Sequence, residues 1–394
     1  MKKRLKKLIK HINNRFKNIK TKSNYPEFNS LLIDPRSDDE HLTATMDWLC
    51  YAQDITNCDG VSAYFDLAEK KWDQPYRETT GYIIETFLNY FLLTGQEKFL
   101  KRAISMGEWE LSQQCEDGSF GEVKIKKNIT SIKKKIFNTG QIIIGLISLY
   151  KQTNEKKYLE SAIEAGNWIV TNQEIDGSWQ KFITLKTPKT YYSRVSWPLL
   201  MLYKITKEEK YYKAAQKNIN WVLKQQQENF WFDNTSLTYR NEPWTHLIGY
   251  TLSGLLEYYC LLDEPDQKIF KSFYSAANEI LEYYQKNNNN FLPCTFDKNW
   301  QSRDKSSCLT GDAQIAIVWM QIYQLTNERK FIDSALKIIE QIKSTQILNS
   351  AKKEISGGVL GCYPLNGNYS PFSMINWGAK FFADSLILKN KIII

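Results

Sequence analysis

Hydrophobic positions along the chain follow the spacing of amphipathic helices and return in blocks of similar length. In residues 96–114 apolar side chains recur every three or four positions, and the block ends in Gln-Gln-Cys-Glu-Asp-Gly-Ser-Phe at 113–120. Residues 156–173 repeat the pattern and end in Gln-Glu-Ile-Asp-Gly-Ser-Trp at 173–179. An apolar period of 3.6 residues predicts a helix, so these are two copies of one helix-and-turn unit.

Further copies extend the repeat along the chain. A third ends in Gln-Gln-Gln-Glu-Asn-Phe-Trp at 225–231, and weaker ones cover 270–284, 331–347 and the N-terminal stretch 41–55. The turn glycines or their equivalents fall near positions 60, 118, 177, 230, 291 and 358. One unit therefore spans about 60 residues, enough for two helices and their loops.

The second helix of each unit follows the turn after some 20 residues and is more apolar than the first. Residues 141–150 and 314–323 carry hydrophobic groups on most sides of the helix. Helices that are apolar all round are buried, so this set forms an inner layer and the amphipathic set an outer one. The inner helices are predicted to begin near Thr80, Thr139, Arg194, His246, Thr310 and Asn376.

The connections differ in length in a regular way. Inner helices are joined to the next outer helix by short turns such as 93–96 and 151–154, whereas outer helices lead to inner ones through long loops. Six inner and six outer helices with this asymmetry predict an all-α, closed (α/α)6 toroid. We expect one toroid domain over residues 39–394, preceded by an arm over residues 1–38.

These motifs resemble known toroid proteins. The sequence at 173–179 resembles the Gln-Trp repeats of squalene cyclases and prenyltransferases. The arrangement is similar to six-hairpin glycosidases, polysaccharide lyases and glucuronyl C5-epimerase helical domains. The segments 76–84, 192–197 and 308–314 resemble uncharacterised bacterial toroid proteins encoded among surface-polysaccharide genes. The resemblance covers residues 40–390 and implies a carbohydrate-active protein, although one fold hosts many reactions.

The net charge of +9 is concentrated at the N-terminus. Residues 1–22 hold ten of the 52 Lys and Arg residues and no acid, so the remaining body is close to neutral. A neutral body without zinc-finger or RNA-binding motifs argues against nucleic-acid binding. The leader alternates apolar and cationic positions, which predicts either a basic amphipathic helix on an anionic membrane surface or a solvated arm. No apolar run is long enough to span a bilayer.

Cysteine usage and the leader bear on the compartment. The seven Cys are odd in number and form no CxxC pair, so a disulfide framework is not expected. The leader lacks the apolar core of a secretory signal. Together these favour the cytoplasm, with possible peripheral attachment to the inner membrane face. No phosphate-binding glycine motif occurs, and although Cys308, Cys362 and His246 could share one rim, we expect no metal or other cofactor.

Long loops and inner-helix starts gather candidate chemistry on one rim of the toroid. Helix N-termini favour anionic ligands, and aromatic faces stack on sugar rings, so the rim is a plausible cleft for an oligo- or polysaccharide. The predicted substrate-binding residues share positions in these loops and first turns: Tyr76, Arg77, Asn138, Trp231, Glu242, Trp244, Arg303, Asp304 and Trp377.

One set of rim residues suits proton abstraction beside a uronate carboxylate, as in a lyase or an epimerase. His246 is the only histidine expected inside the toroid and titrates near neutral pH. Asn138 or Arg194 would neutralise the carboxylate, while His246 or Tyr192 would take the proton. The substrate would be a bacterial surface polysaccharide or its precursor.

A second set suits hydrolysis. Glu78, Glu242, Asp304 and Asp312 lie at helix starts, and two of them could face each other as in an inverting glycosidase, with Glu78 and Asp312 as the catalytic candidates. Each acid could instead be a helix-start charge or an arginine partner. Glu85 and Glu257, deeper in the inner helices, are buried polar candidates. A non-catalytic saccharide-binding or assembly protein remains a third alternative.

Overall fold

The computed structural model describes residue 28 and residues 32–126, 129–185, 187–237, 241–288 and 290–393. Within these residues twelve α-helices alternate between two concentric layers, which confirms the predicted all-α toroid. The cationic segment 1–22 lies outside the described residues. In the described ranges no helix is long and apolar enough to cross a membrane.

The inner helices begin within three residues of the predicted positions. They are α2 (Arg77–Thr94), α4 (Ile136–Thr153), α6 (Ser193–Thr206), α8 (Thr245–Cys260), α10 (Leu309–Thr326) and α12 (Asn376–Ile393). The outer helices are α1 (Asp38–Asp54), α3 (Glu97–Gln113), α5 (Lys156–Thr171), α7 (Glu209–Lys224), α9 (Gln267–Lys286) and α11 (Arg329–Ser344). Each outer helix lies antiparallel to its inner neighbour because the connecting turn is short.

The inner helices form a closed ring in which each contacts the next, and α12 returns to α2. Their packing is tightest between α2 and α4. A Cβ atom placed on Gly145 would lie 2.0 Å from the carbonyl oxygen of Gly81, so only glycine permits this approach. The apolar side chains of the ring are almost fully buried, as their all-round hydrophobicity predicts.

One glutamine in each of five units links its turn to a neighbouring outer helix. Gln173 Nε2 donates to the carbonyl oxygens of Gly177 at 3.0 Å and Ala214 at 2.8 Å. Gln114 makes the same pair of bonds to Gly118 and Ser161, both at 3.0 Å. The equivalents are Gln53, Gln226 and Gln346. The repeated Gln thus has a structural role, because it satisfies carbonyl groups at the seam between successive units.

The seam between the first and last units uses the same glutamine. Gln346 Nε2 donates to Thr45 Oγ1 at 2.8 Å, and its Oε1 lies 2.6 Å from His41 Nδ1. Lys343 adds an ion pair with Asp38 at 2.8 Å. His41 is fully buried here, so His246 is not the only histidine inside the toroid, because the first outer helix packs against the last unit.

In the part of the chain that the structure describes, seven short strands lie in the loops that lead to inner helices. β1 (Tyr64–Asp66) pairs with β2 (Lys71–Trp72) and with β7 (Ser373–Ile375), which joins the first unit to the last. β3 (Gly121–Lys126) and β4 (Ile129–Lys134) form a hairpin before α4. β5 (Ser307–Cys308) pairs with β6 (Cys362–Tyr363). All three sheets precede inner helices, so they build the rim at which those helices begin.

Candidate active site

The first turns of the inner helices bring polar and aromatic side chains together at this rim. We call the set the rim site and divide it into two walls. The acidic wall consists of Tyr76, Glu78, Glu122, Lys135 and Asn138. The aromatic wall consists of Trp244, His246, Tyr250, Tyr369 and Trp377.

Glu78 is the central carboxyl group of the acidic wall. Its side chain is recessed but partly exposed, and Tyr76 donates a hydrogen bond to Oε2 at 2.8 Å. Asn138 Nδ2 lies 3.4 Å from the same tyrosine oxygen. Desolvation raises the pKa of Glu78 to about 7, while the bond from Tyr76 opposes that rise. A carboxyl group with this pKa is partly protonated at neutral pH and can donate a proton.

Two further charged groups lie beside Glu78. Lys135, at the start of α4, is 2% exposed; its Nζ lies 3.7 Å from Glu122 Oε1 and donates to Thr184 Oγ1 at 3.1 Å. Burial lowers the pKa of Lys135 to about 8, with the charges of Glu122 and Glu78 acting in the opposite direction. The charge of Glu122 in turn raises the pKa of Glu78. The acidic wall therefore holds two carboxyl groups and one buried amine.

His246 lies on the aromatic wall. Its ring centroid is 4.3 Å from that of Tyr250 and 5.5 Å from that of Tyr369. Nδ1 lies 2.9 Å from Gln314 Oε1, an acceptor, so Nδ1 carries the hydrogen and Nε2 keeps its lone pair. Desolvation lowers the pKa of His246 to about 4. The imidazole is therefore neutral at pH 7.

Tyr369 connects the remaining aromatic residues. Trp377 Nε1 donates to its hydroxyl at 2.9 Å, and the Trp244 ring meets its ring edge-to-face at 5.3 Å. Both tryptophans are partly exposed and can offer carbon surface to a sugar. Three buried cysteines pack behind this wall: Cys294, Cys308 and Cys362. Burial raises the pKa of Cys362 to about 12, so its thiol is neutral. Among the described residues no three His, Cys, Asp or Glu side chains are arranged to hold a metal ion.

Arg194 lies below the aromatic wall, near the axis of the ring. It is 4% exposed, and Nε donates to Gln141 Oε1 at 2.9 Å while Nη1 donates to Ser253 Oγ at 3.1 Å. Its guanidinium carbon is 5.2 Å from the ring centroid of Tyr250 and 5.8 Å from that of Phe381. Neutral partners and aromatic faces thus hold the Arg194 charge inside the ring of inner helices. From this position the charge lowers the pKa of Glu78 and so favours its ionised form.

Two predicted catalytic residues lie outside the rim site. Tyr192 packs its ring on Phe137 at 5.8 Å and on Trp179 at 5.9 Å, and its hydroxyl bonds the Thr184 backbone. Asp312 is fully buried and accepts from Ser307 Oγ at 2.6 Å, on the side of α10 that faces Tyr284 of the outer layer. Asp312 therefore faces away from the rim, which corrects its assignment, whereas the charge of Glu78 still acts on the buried Tyr192 hydroxyl, so a catalytic role for Tyr192 stays a prediction.

Two predicted substrate-binding residues are structural. Arg77 donates to the Gly121 carbonyl oxygen at 2.9 Å and to Gln113, so it fixes the loop that begins β3. Trp231 is 2% exposed, and its ring lies edge-on to Trp300 at 5.0 Å. Neither side chain is free to bind a sugar, which corrects the expectation from sequence.

Glu242, Arg303 and Asp304 do come together, in a polar depression of about 390 Å³ beside the aromatic wall. Glu242 and Arg303 are exposed there. Asp304 accepts from Ser306 through Oδ1 and from Asn368 Nδ2 at 2.9 Å through Oδ2, which shapes the loop before Tyr369. Glu78 does not line this depression, so these acids do not pair with it.

A comparison with known protein families agrees with a site of this kind on a toroid. The sequence profile described as Beta-L-arabinofuranosidase, GH127 catalytic domain, matches residues 112–347. This is more than half of the chain. The chain belongs to this glycoside hydrolase family. Within the family match lie Glu122, Lys135 and His246, while Glu78 and Trp377 lie outside it.

Solved structures of other carbohydrate-active toroids are similar to this chain. A heparin-specific unsaturated glucuronyl hydrolase superposes with a TM-score of 0.72 at 14% identity, covering 91% of this chain and 98% of that one. A cellobiose 2-epimerase from Bacillus thermoamylovorans superposes with a TM-score of 0.69 at 12% identity, covering 92% and 98%. These identities show the fold alone. The comparison with curated proteins found no match.

A third similar structure is the unsaturated glucuronyl hydrolase from Bacillus sp. GL1, with a TM-score of 0.67 at 12% identity over 89% of this chain and 96% of that one. The predicted resemblance to six-hairpin glycosidase-like toroids is confirmed. The family match identifies a carbohydrate-active enzyme, and the superpositions show that its toroid fold is shared with glycosidases and an epimerase.

Sequence reasoning missed several members of the rim site. Glu122 belongs to a hairpin and Lys135 follows that hairpin at the start of α4, in a loop region with no helical period, so no pattern marked them. Tyr250 lies in the second turn of α8, where its aromatic side chain is indistinguishable from packing. Tyr369 lies in an irregular loop. The one available signal was position, because the hairpin precedes an inner helix as the other rim loops do.

Proposed function

We propose that this protein hydrolyses a glycosidic bond, with Glu78 donating the proton to the departing oxygen. The single observation that carries the proposal is the Glu78 carboxyl group, recessed in the rim and bonded by Tyr76 at 2.8 Å, with a pKa raised to about 7. A general acid works best when its pKa lies near the working pH. Membership of a glycoside hydrolase family supports the same reaction.

Glu122 is the second carboxylate that hydrolysis requires. Its charge acts on Glu78 and on Tyr76, and Lys135 balances it at 3.7 Å. In an inverting mechanism Glu122 would remove a proton from the attacking water while Glu78 protonates the leaving oxygen. The sequence suggested Glu78 and Asp312 as the two catalytic carboxyl groups. In this proposal Glu122 takes the place of Asp312, because Asp312 faces the outer layer.

The aromatic wall would hold the sugar. Trp244 and Trp377 are partly exposed, and Tyr369 lies between them. Aromatic surface on one side and carboxyl groups on the other match the needs of a sugar ring, which has apolar faces and polar edges.

The test is release of sugar from a panel of 4-nitrophenyl glycosides that includes L-arabinofuranosides, hexosides and uronides. Glu78→Gln should lower turnover of the accepted substrate by about a hundredfold or more, and Glu122→Gln should do the same. Glu160→Gln, an exposed acid on outer helix α5, is the matched control and should retain full activity. Unchanged turnover by Glu78→Gln would refute its role. Binding without turnover across the panel would favour a saccharide-binding protein.

A second reaction has a specific observation in its favour. His246 is neutral at pH 7, and the bond to Gln314 leaves the Nε2 lone pair free, although a pKa lowered to about 4 makes it a weaker base than an ordinary imidazole. This is the group that proton abstraction beside a uronate carboxylate would use, in lyase or epimerase chemistry on a bacterial surface polysaccharide or its precursor. Arg194 would act only at a distance, since its guanidinium donates to Gln141 and Ser253.

The two reactions leave different isotope patterns. In deuterium oxide an epimerase returns a deuteron to the ring carbon from which His246 removed the proton, a lyase leaves an unsaturated uronate that absorbs in the ultraviolet, and hydrolysis gives neither product. His246→Ala should abolish carbon exchange while leaving Glu78-dependent hydrolysis measurable. Carbon-bound deuterium in the product of the wild-type protein would replace the hydrolase proposal with the epimerase one, and an unsaturated uronate product would replace it with the lyase one.

A further inference from the structure

A second cavity opens at the opposite end of the helix ring from the rim site. It has a volume of about 180 Å³ and is lined by Glu85 and Asn89 of α2, Glu257 of α8 and Asp384 of α12. Glu85 and Asn89 lie two and three turns beyond Glu78, roughly 10 and 16 Å further along the helix axis. We call this cavity the lower chamber.

Buried hydrogen-bond donors face the lower chamber from its floor. Arg194 and Gln314 line it and are 4% and 2% exposed. Gln314 Nε2 is buried and has no hydrogen-bond partner among the described residues, although Oε1 is engaged with His246. A buried donor of this kind costs free energy until an acceptor reaches it. The floor therefore lacks an acceptor that a ligand can supply.

Carboxyl groups face the same space from the walls. Glu257 Oε1 accepts from Gln321 Nε2 at 2.7 Å, and Glu85 lies on the neighbouring side of the chamber. Asp384 is ion-paired with Lys380 and accepts from Thr86 Oγ1 at 2.8 Å. Burial raises the pKa of Glu85 to about 7 and also raises that of Glu257. Partly protonated carboxyl groups can both donate and accept hydrogen bonds.

Apolar surface completes the chamber. This part of the lining comes from Trp197, Ile317, Phe381, Ile387 and Leu388. The volume is more than ten times that required by one water, about 10 to 15 Å³ on the same measure. The space therefore accepts a molecule of about a dozen non-hydrogen atoms rather than a single ion.

We propose that the lower chamber binds one monosaccharide-sized polyol, at a site separate from the rim. Each hydroxyl group of a sugar donates and accepts, which matches a lining that has an unpartnered amide donor, a buried guanidinium and carboxyl groups. The carbon face of the ring would lie against the aliphatic and aromatic side chains. The chamber is unsuited to a bare metal ion because Asp384 and Glu257 already have protein partners. The site stands whether or not the rim performs hydrolysis.

Ligand-observed NMR with D-glucose, D-galactose, D-xylose and L-arabinose as probes tests this site directly. Cyclohexanemethanol, which has similar size but one hydroxyl group, is the control probe. We expect at least one sugar to bind the wild-type protein and Glu78→Gln with dissociation constants within about twofold of each other. Asn89→Phe and Leu388→Trp, which fill the chamber mouth from two different helices, should each weaken that binding at least tenfold.

Folding of the two mouth variants is checked first. A variant is used only if its circular dichroism spectrum and melting temperature match those of the wild type. Failure of all four sugars to bind the wild-type protein would overturn the proposal. So would undiminished binding by the folded mouth variants, because the sugar would then occupy the rim. Equal binding of cyclohexanemethanol would also overturn it, since hydroxyl groups would not be recognised. None of these outcomes depends on turnover.

Discussion

Removing the Tyr76 hydroxyl should shift the pH dependence of the reaction in a predictable direction. Tyr76 donates to Glu78 Oε2 at 2.8 Å, which stabilises the ionised carboxylate and lowers the pKa of Glu78 against the larger effect of burial. A hydrogen bond to a charged group contributes about 1.5 to 3 kcal/mol, and each pKa unit corresponds to about 1.4 kcal/mol. Tyr76→Phe should therefore raise the pKa of Glu78 by about one to two units.

The sign of the activity change follows from the role of Glu78 as an acid. Glu78 must be protonated to act, so kcat/KM in the wild type should fall as the pH rises through about 7. In Tyr76→Phe this alkaline limb should move upward by one to two pH units, as measured in a profile of kcat/KM against pH from 5 to 10.

The control for this experiment is a tyrosine–glutamate pair in the outer layer. Tyr274 donates to Glu328 Oε1 at 2.7 Å, so Tyr274→Phe removes the same kind of bond far from the rim. Its alkaline limb should coincide with that of the wild type. An alkaline limb in Tyr76→Phe that stays in place or moves to lower pH would refute the assignment of the limb to Glu78.

Three other predictions concern the fold and the arm. Gln173→Leu should lower the free energy of unfolding by about 1 to 3 kcal/mol in urea, because Ala214 and Gly177 lose the Nε2 donor while Asn218 Nδ2 still donates to Gly177 at 2.9 Å, whereas exposed Gln216→Leu should have little effect. Gly145→Ala should cost at least about 1 to 3 kcal/mol in the same assay, since its methyl group would meet the Gly81 carbonyl oxygen, and unchanged stability would contradict the described packing of α2 on α4. Deleting residues 2–22 should release the protein from anionic vesicles at low salt, because each cation contributes up to about 1 kcal/mol of attraction, and equal binding by the truncated chain would exclude a role for the arm.

The helical architecture could be predicted from sequence because burial imposes a period. Inner helices are apolar on all sides and outer helices are apolar on one side. The sequence therefore predicted both the layer to which each helix belongs and the residue near which it begins. The repeated Gln at 173 marked the turn, although its bond to Ala214 across the unit boundary required the three-dimensional structure.

For the inner helices, the direction in which each side chain points could not be predicted from the sequence. Successive residues of a helix differ by about 100° around its axis, and a helix buried on all sides provides no polar face from which to measure. Asp312 was therefore placed at the correct helix start but on the wrong side. Glu78 and His246 point to the rim site, whereas Arg194 reaches down to Ser253.

The loops were the second source of error. Trp231 and Trp300 occupy rim loops, yet they pack on each other because a long loop needs its own buried contacts. Lys135 was missed for the opposite reason, because we expected it to be exposed and it is buried. A lysine in a charged stretch of sequence is normally exposed to solvent. The side chain of Lys135 is instead 2% exposed and lies between Glu122 and Thr184.

The central claim is that Glu78 protonates the departing oxygen, and leaving-group dependence tests it most directly. With the sugar identified in the glycoside panel, kcat/KM is measured for the phenyl and dinitrophenyl glycosides in the wild type and in Glu78→Gln. A dinitrophenolate departs without a proton, whereas phenolate needs one. We predict that Glu78→Gln loses about a hundredfold or more on the phenyl glycoside and less than about tenfold on the dinitrophenyl glycoside. Equal losses on both substrates, or no loss on either, would contradict the assignment.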